Sequence, residues 1–109
     1  MKRGEIWTAA GGADYARKPR PVLILQDDHY WRTDSLVVCP VTSERVATDF
    51  LRPPLEPNAG NGLRWPSCVM VDKVSALPRM RLRDRIGQVQ DVEMREVETA
   101  LSAFLGMAR

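Results

Sequence analysis

The sequence predicts an α+β protein, mainly β, in which a compact antiparallel sheet is covered by one C-terminal helix. Two observations carry this. Short apolar runs of strand length recur from Glu5 to Val89, separated by clusters of Gly, Pro, Asp and Asn. The period then changes, with Val92/Met94, Val97, Ala100/Leu101 and Phe104/Leu105 recurring every three or four residues, as on an amphipathic helix. Strands first and a helix last is the order of a sheet with one face packed under a helix.

The first strand is read at Glu5-Ile6-Trp7-Thr8-Ala9, opened by Gly4 and closed by Gly11-Gly12. A polar stretch follows, in which Pro19 and Pro21 bracket Arg20. A proline disfavours helical geometry in the residue before it, so Arg20 is held extended at the mouth of the second strand, Val22 to Gln26. Asp27, Asp28 and His29 end that strand. The third runs from Ser35 to Thr42, with Pro40 suggesting an edge position or a bulge because proline cannot donate to a ladder. Phe50-Leu51-Arg52 offers a short strand, and residues 53–62 read as loop on composition. Ser67 to Val74 reads as a central strand, and Arg85 to Val89 as a last short one. In the helix, Asp91 is the expected N-cap, Glu93 complements the positive end of the dipole, and Gly106 is the expected terminator.

Composition bounds the function. The chain has 109 residues, which suits a single domain over 1–109. Its hydrophobic share is 44% and its charged share 28%, ordinary for a globular protein and wrong for disorder. Sixteen Lys+Arg against fourteen Asp+Glu leave +2, too small a surplus to establish a nucleic-acid partner. Lys occurs only at Lys2, Lys18 and Lys73, so the basic residues are mostly arginines, whose planar fork suits phosphate. The N-terminus lacks the apolar run of a signal peptide, and no stretch approaches the ~20 apolar residues of a membrane span. Cys39 and Cys68 lie in apolar segments without a short metal spacing, the pattern of two buried thiols in a cytoplasmic protein. The single histidine, His29, excludes a His-His or Cys-His metal cluster within the chain and reads as turn chemistry.

Taken alone, Arg20 is a surface charge between prolines and Thr42 a strand-end residue that bonds its local backbone. Trp7 reads as core. Arg79, Arg81, Arg83 and Arg85 fall on alternate positions. Extended, they form either a phosphate track or, the preferred reading, a solvated face over buried Met80, Leu82 and Ile86.

Five blocks, in order and over nearly the whole chain, together resemble the MazF/PemK ribonuclease toxins of bacterial toxin–antitoxin pairs. They are Lys2-Arg3-Gly4-Glu5-Ile6-Trp7, Arg20-Pro21-Val22-Leu23-Ile24-Leu25-Gln26, Val38-Cys39-Pro40-Val41-Thr42-Ser43, Pro66-Ser67-Cys68-Val69-Met70-Val71-Asp72, and Arg85-Ile86-Gly87-Gln88-Val89 with the helix to Gly106. The resemblance implies the SH3-like barrel or sheet shared by the MazF/PemK and CcdB toxins. It further implies cytoplasmic, metal-independent and sequence-selective cleavage of single-stranded RNA without a cofactor. In that chemistry the ribose 2′-hydroxyl attacks the adjacent phosphate and leaves 2′,3′-cyclic phosphate and 5′-hydroxyl ends.

The family's catalytic pair falls on Arg20 and Thr42. Arg20 would donate two hydrogen bonds to phosphate oxygens, and Thr42 would donate to the same phosphate or orient the attacking oxygen. A guanidinium stays charged in proteins, so the base is left open among another carboxylate, the substrate itself, or no group at all. Arg17, Lys18 and Ser43 would border the RNA groove, and Tyr15 and Trp65 would stack unpaired bases. The resemblance also implies a homodimer with its groove near the subunit interface. A cognate antitoxin would place a flexible acidic segment in that groove, and operator DNA would be contacted only through the antitoxin. No membrane partner is implied. Two departures stand out: residues 11–16 lack the family's frequent Gly-Ser-Glu stretch, and Lys73 follows Asp72 where Gln is common, a change that bears on which RNA is accepted. The competing expectation is a non-catalytic, CcdB-like toxin that binds DNA gyrase.

Overall fold

The computed structural model describes residues 1–10, 19–44 and 50–108. The described residues form seven strands: β1 (Glu5–Ala9), β2 (Arg20–Ile24), β3 (Ser35–Thr42), β4 (Pro54–Leu55), β5 (Ser67–Val69), β6 (Ser75–Pro78) and β7 (Leu82–Gln88). One helix, α1 (Asp91–Phe104), closes the chain. All pairings are antiparallel, in the order β4-β5-β3-β2-β1-β7, with β6 also on β3. Two register shifts between β1 and β7, flanking Trp7, mark irregularities that bend a sheet, and the whole forms a curled half-barrel.

The apolar run of β2 serves two cores, one on each face of the strand. Side chains alternate faces along a strand, yet Val22, Leu23, Ile24 and Leu25 are all buried. Leu23 and Leu25 join Ile6, Cys39, Val41, Val97 and Ala100 in the core under α1. Val22 and Ile24 join Ala9, Leu36, Val38, Leu77 and Leu82 in a second core on the opposite face of β2. Trp7 packs at the edge of this second core, half-buried, with its indole N–H donating to Glu5 Oε1 at 3.0 Å.

Several boundaries differ from the sequence reading. Pro40 is neither at an edge nor in a bulge: β3 is central, and Pro40 sits where its outer neighbour changes from β6 to β5. Its carbonyl accepts from Met70 N at 2.8 Å, and the missing N–H falls in the gap between the two neighbours, so no ladder bond is lost. The strand expected over Ser67–Val74 ends at Val69. A 3-10 turn, Val71–Lys73, then redirects the chain into β6, a strand the sequence did not reveal. Phe50–Arg52 is turn rather than strand, and a short strand forms instead at Pro54–Leu55, within the stretch read as loop. The last strand begins at Leu82, earlier than expected.

Helix α1 is capped by Gln90, not Asp91, in a reciprocal capping box in which Glu93 Oε1 accepts from Gln90 N at 2.8 Å. At its other end Gly106, at φ 75°, closes a Schellman motif with Gly106 N to Ala103 O and Met107 N to Ser102 O. Among the described residues no helix is long and apolar enough to cross a membrane.

Candidate functional site

Arg20 opens β2 and pairs with Ala9 of β1. On its other side β2 runs against β3 with Ile24 opposite Val38, Leu23 opposite Cys39 and Val22 opposite Pro40. Continued by two residues, the same register sets Arg20 across from Thr42, on the face that carries Val22 and Pro40. Both residues line one cavity of about 330 Å³, together with Pro40, Glu44, Met70 and Lys73. The cavity thus forms where the start of β2, the end of β3 and the turn after β5 converge.

Among the described residues, the donors here are uncommitted. Thr42 Oγ1 accepts the Glu44 N–H at 3.1 Å, a local turn that leaves its own hydroxyl hydrogen available to a ligand. Arg20 is exposed, and no carboxylate or carbonyl takes its N–H groups among the described residues. With Arg20 and Lys73 positive and Glu44 negative, the lining carries a net positive charge suited to a phosphate.

The turn that brings Met70 and Lys73 to the cavity is anchored by an ion pair that sequence reasoning missed. Arg52 Nε and Nη2 each reach one oxygen of Asp72 at 3.0 Å. These hydrogen bonds hold the Asp72 carboxyl below its ordinary range and push the Arg52 guanidinium up. Twenty residues separate the partners, so only a tertiary contact could reveal them. Glu44 was also missed as a site residue; its signal was its place two residues beyond Thr42. Burial pushes the thiol of Cys39, on β3, up to about 12, with the charge of Asp72 adding to the effect.

Other expected residues lie elsewhere. Tyr15, Arg17 and Lys18 are outside the described residues. Ser43 is exposed next to Thr42 but does not line the cavity. Trp65 is 67% exposed in the loop between β4 and β5, with its carbonyl accepting from Ser67 Oγ at 2.8 Å, and it too is off the lining. His29 sits in the 3-10 turn Asp28–Tyr30 beyond the far end of β2, its ring edge-on to Tyr30. The four alternate arginines do not form one face, because Arg79–Arg81 is a 3-10 turn and strand geometry begins only at Leu82. Arg79 binds Thr33 O and Trp31 O, Arg85 pairs with Glu5, and Met80 is exposed rather than buried. No group of three or more His, Cys, Asp or Glu side chains gathers to hold a metal among the described residues.

The fold and site define a small curled antiparallel β protein with an exposed cavity lined by Arg20 and Lys73, and comparison with known proteins narrows that class. Residues 2–105 match the PemK-like, MazF-like toxins of type II toxin–antitoxin systems. The chain is 43% identical over 108 residues, 99% of each chain, to the probable endoribonuclease MazF of Mycolicibacterium smegmatis. Its fold superposes with TM-score 0.80 on the Mycobacterium tuberculosis toxin MazF-mt6, at 24% identity over 96% of this chain and 99% of that one. A MazE–MazF complex from Deinococcus radiodurans matches with TM-score 0.80 and 23% identity, covering 99% of this chain and 98% of that one. The chain belongs to the PemK-like, MazF-like toxin family, and the gyrase-binding alternative is not favoured.

Proposed function

We propose that the chain is a sequence-selective endoribonuclease toxin that cuts single-stranded RNA, with Arg20 and Thr42 as its catalytic pair. The observation that carries this reading is the continued β2–β3 register, which sets the Arg20 guanidinium across from the Thr42 hydroxyl over one cavity, neither donating to another of the described residues. The nucleophile is the substrate's own 2′-hydroxyl, so the protein's task is to align it, stabilise charge growing on phosphorus and move protons. Arg20 donates two N–H groups to the non-bridging oxygens, and Thr42 donates its hydroxyl to the same phosphate or orients the attacking oxygen. Products end in 2′,3′-cyclic phosphate and 5′-hydroxyl.

In this reading Arg17, Lys18 and Ser43 guide the backbone into the cavity, while Tyr15 and Trp65 stack unpaired bases, a contact worth roughly 1–3 kcal/mol per base. The protein acts in the cytoplasm as a homodimer. Support for self-association comes from an apolar hollow of about 620 Å³ between α1 and the segment before β4, lined by Val92, Phe50, Pro53 and Pro54. Phe50 and Val92 stand 74% and 50% exposed in the single chain. A cognate antitoxin blocks the cationic groove with an acidic, flexible segment and alone contacts operator DNA.

The test is incubation of the purified protein with a long single-stranded RNA in EDTA, followed by end-group analysis. Cuts leaving 5′-hydroxyl ends are expected. Intact RNA accompanied by inhibition of DNA gyrase would replace this reading with the gyrase-binding one.

A further inference from the structure

Arg20 and Thr42 supply donors, but in-line transfer from a 2′-hydroxyl also needs one proton removed and one delivered. A guanidinium keeps its protons and a threonine hydroxyl is no base. Among the described residues of the cavity lining, the one carboxylate is Glu44 and the one ammonium is Lys73.

Resting on the RNA-cleaving reading above, we propose that Glu44 accepts the 2′-hydroxyl proton and that Lys73 delivers a proton to the departing 5′ oxygen. Glu44 is brought to the site by its own backbone: its N–H donates to Thr42 Oγ1 at 3.1 Å, folding the chain back at the end of β3. Among the described residues Asp72, next to Lys73, is already committed, since both its oxygens are held by Arg52 at 3.0 Å. The Arg52–Asp72 clamp in turn fixes the turn Val71–Lys73, which presents Lys73 to the cavity. The lone imidazole, His29, lies past the opposite end of β2 from Arg20 and takes no part.

The step balances within the cavity. Glu44 takes the proton from O2′ as the O2′–P bond forms. The P–O5′ bond breaks with its electron pair on O5′, which takes a proton from Lys73 Nζ. Exchange with water afterwards restores the carboxylate and the ammonium.

Single-turnover cleavage by the full chain, followed against pH, tests this. Glu44→Gln keeps the backbone turn to Thr42, so melting stays at the wild-type value, and it removes a negative charge from the cavity, so RNA affinity does not fall, while the rate drops by about a hundredfold or more and its acid limb disappears. Lys73→Gln also slows cleavage of ordinary RNA. A substrate with a bridging sulfur in place of O5′ at the cut site needs no proton on its leaving group, so it restores Lys73→Gln and leaves Glu44→Gln slow. The proposal is overturned if Glu44→Gln cuts within about threefold of wild type with its acid limb intact. It is equally overturned if the sulfur substrate restores both variants or neither, or if Asp14→Asn, outside the described residues, abolishes the acid limb instead. Wild-type protein that leaves RNA whole would count against the RNA-cleaving reading itself, a separate failure.

Discussion

Arg20 and Arg52 carry the same guanidinium in opposite circumstances. Arg52 meets Asp72 through two parallel hydrogen bonds at 3.0 Å, with side-chain exposures of only 17% and 27%. Arg20, at the mouth of β2, is exposed and has no carboxylate partner among the described residues, although Glu44 lines the same cavity. A guanidinium already matched to a carboxylate has its donors filled and holds structure; one left open over a cationic cavity is available to an incoming phosphate. Arg85 falls with Arg52, since Glu5 accepts from its Nε at 2.9 Å and Gln88 from its Nη2 at 2.8 Å.

The contrast makes sharply different variants. Arg20→Ala is expected to lower RNA cleavage by roughly a hundredfold to a thousandfold while melting stays unchanged. Cleavage at near wild-type rate would place Arg20 with the merely exposed charges. Thr42→Ala should lose about tenfold to a hundredfold, with Thr42→Ser largely restoring activity because only the hydroxyl is needed. Gel assays of single-turnover rates decide both.

Arg52→Ala should do the reverse. It strips a half-buried carboxylate of its partner, so urea unfolding should register a loss of about 1–3 kcal/mol, and any fall in cleavage follows from the displaced Lys73 turn. If Arg52→Ala left stability untouched and removed activity outright, the division between the two arginines would fail.

The mildest test uses acid. Burial raises the Glu5 carboxyl, but hydrogen bonds from the Lys2 N–H, the Trp7 indole and Arg85 outweigh it and hold the group at about 2, against an ordinary value of 4.5. A carboxylate lowered on folding stabilises the fold above its unfolded value, and that contribution fades as pH falls toward the folded one. Wild-type stability should therefore decline between about pH 4.5 and 2 through this group, and Glu5→Gln should flatten that part of the curve. Parallel acid curves for the two proteins would show that the contacts of the Glu5 carboxylate carry no stability.

Local patterns made much of the fold legible. β1 and β3 have the bounds that apolar runs and flanking turn residues indicate, and Gly106 ends the helix because only a residue at ease with positive φ closes that motif. β6 stayed hidden because Ser75-Ala76-Leu77-Pro78 has little intrinsic strand character; its existence depends on pairing with Ser35–Val38 of β3. Pro40 misled for a related reason. Its missing donor suggests an edge, but the exchange of partners along β3 puts a gap at that residue.

For the site, the chain itself settled that Arg20 is extended at a strand mouth, because prolines on both sides restrict backbone torsions whatever surrounds them. It also settled the strand-to-helix order, since hydrophobic period is a property of consecutive residues. Which arginine would be left open and which clamped was decided only by folding. That outcome depends on which carboxylate a distant segment delivers within 3 Å, and charges brought together through space leave no periodic trace in sequence.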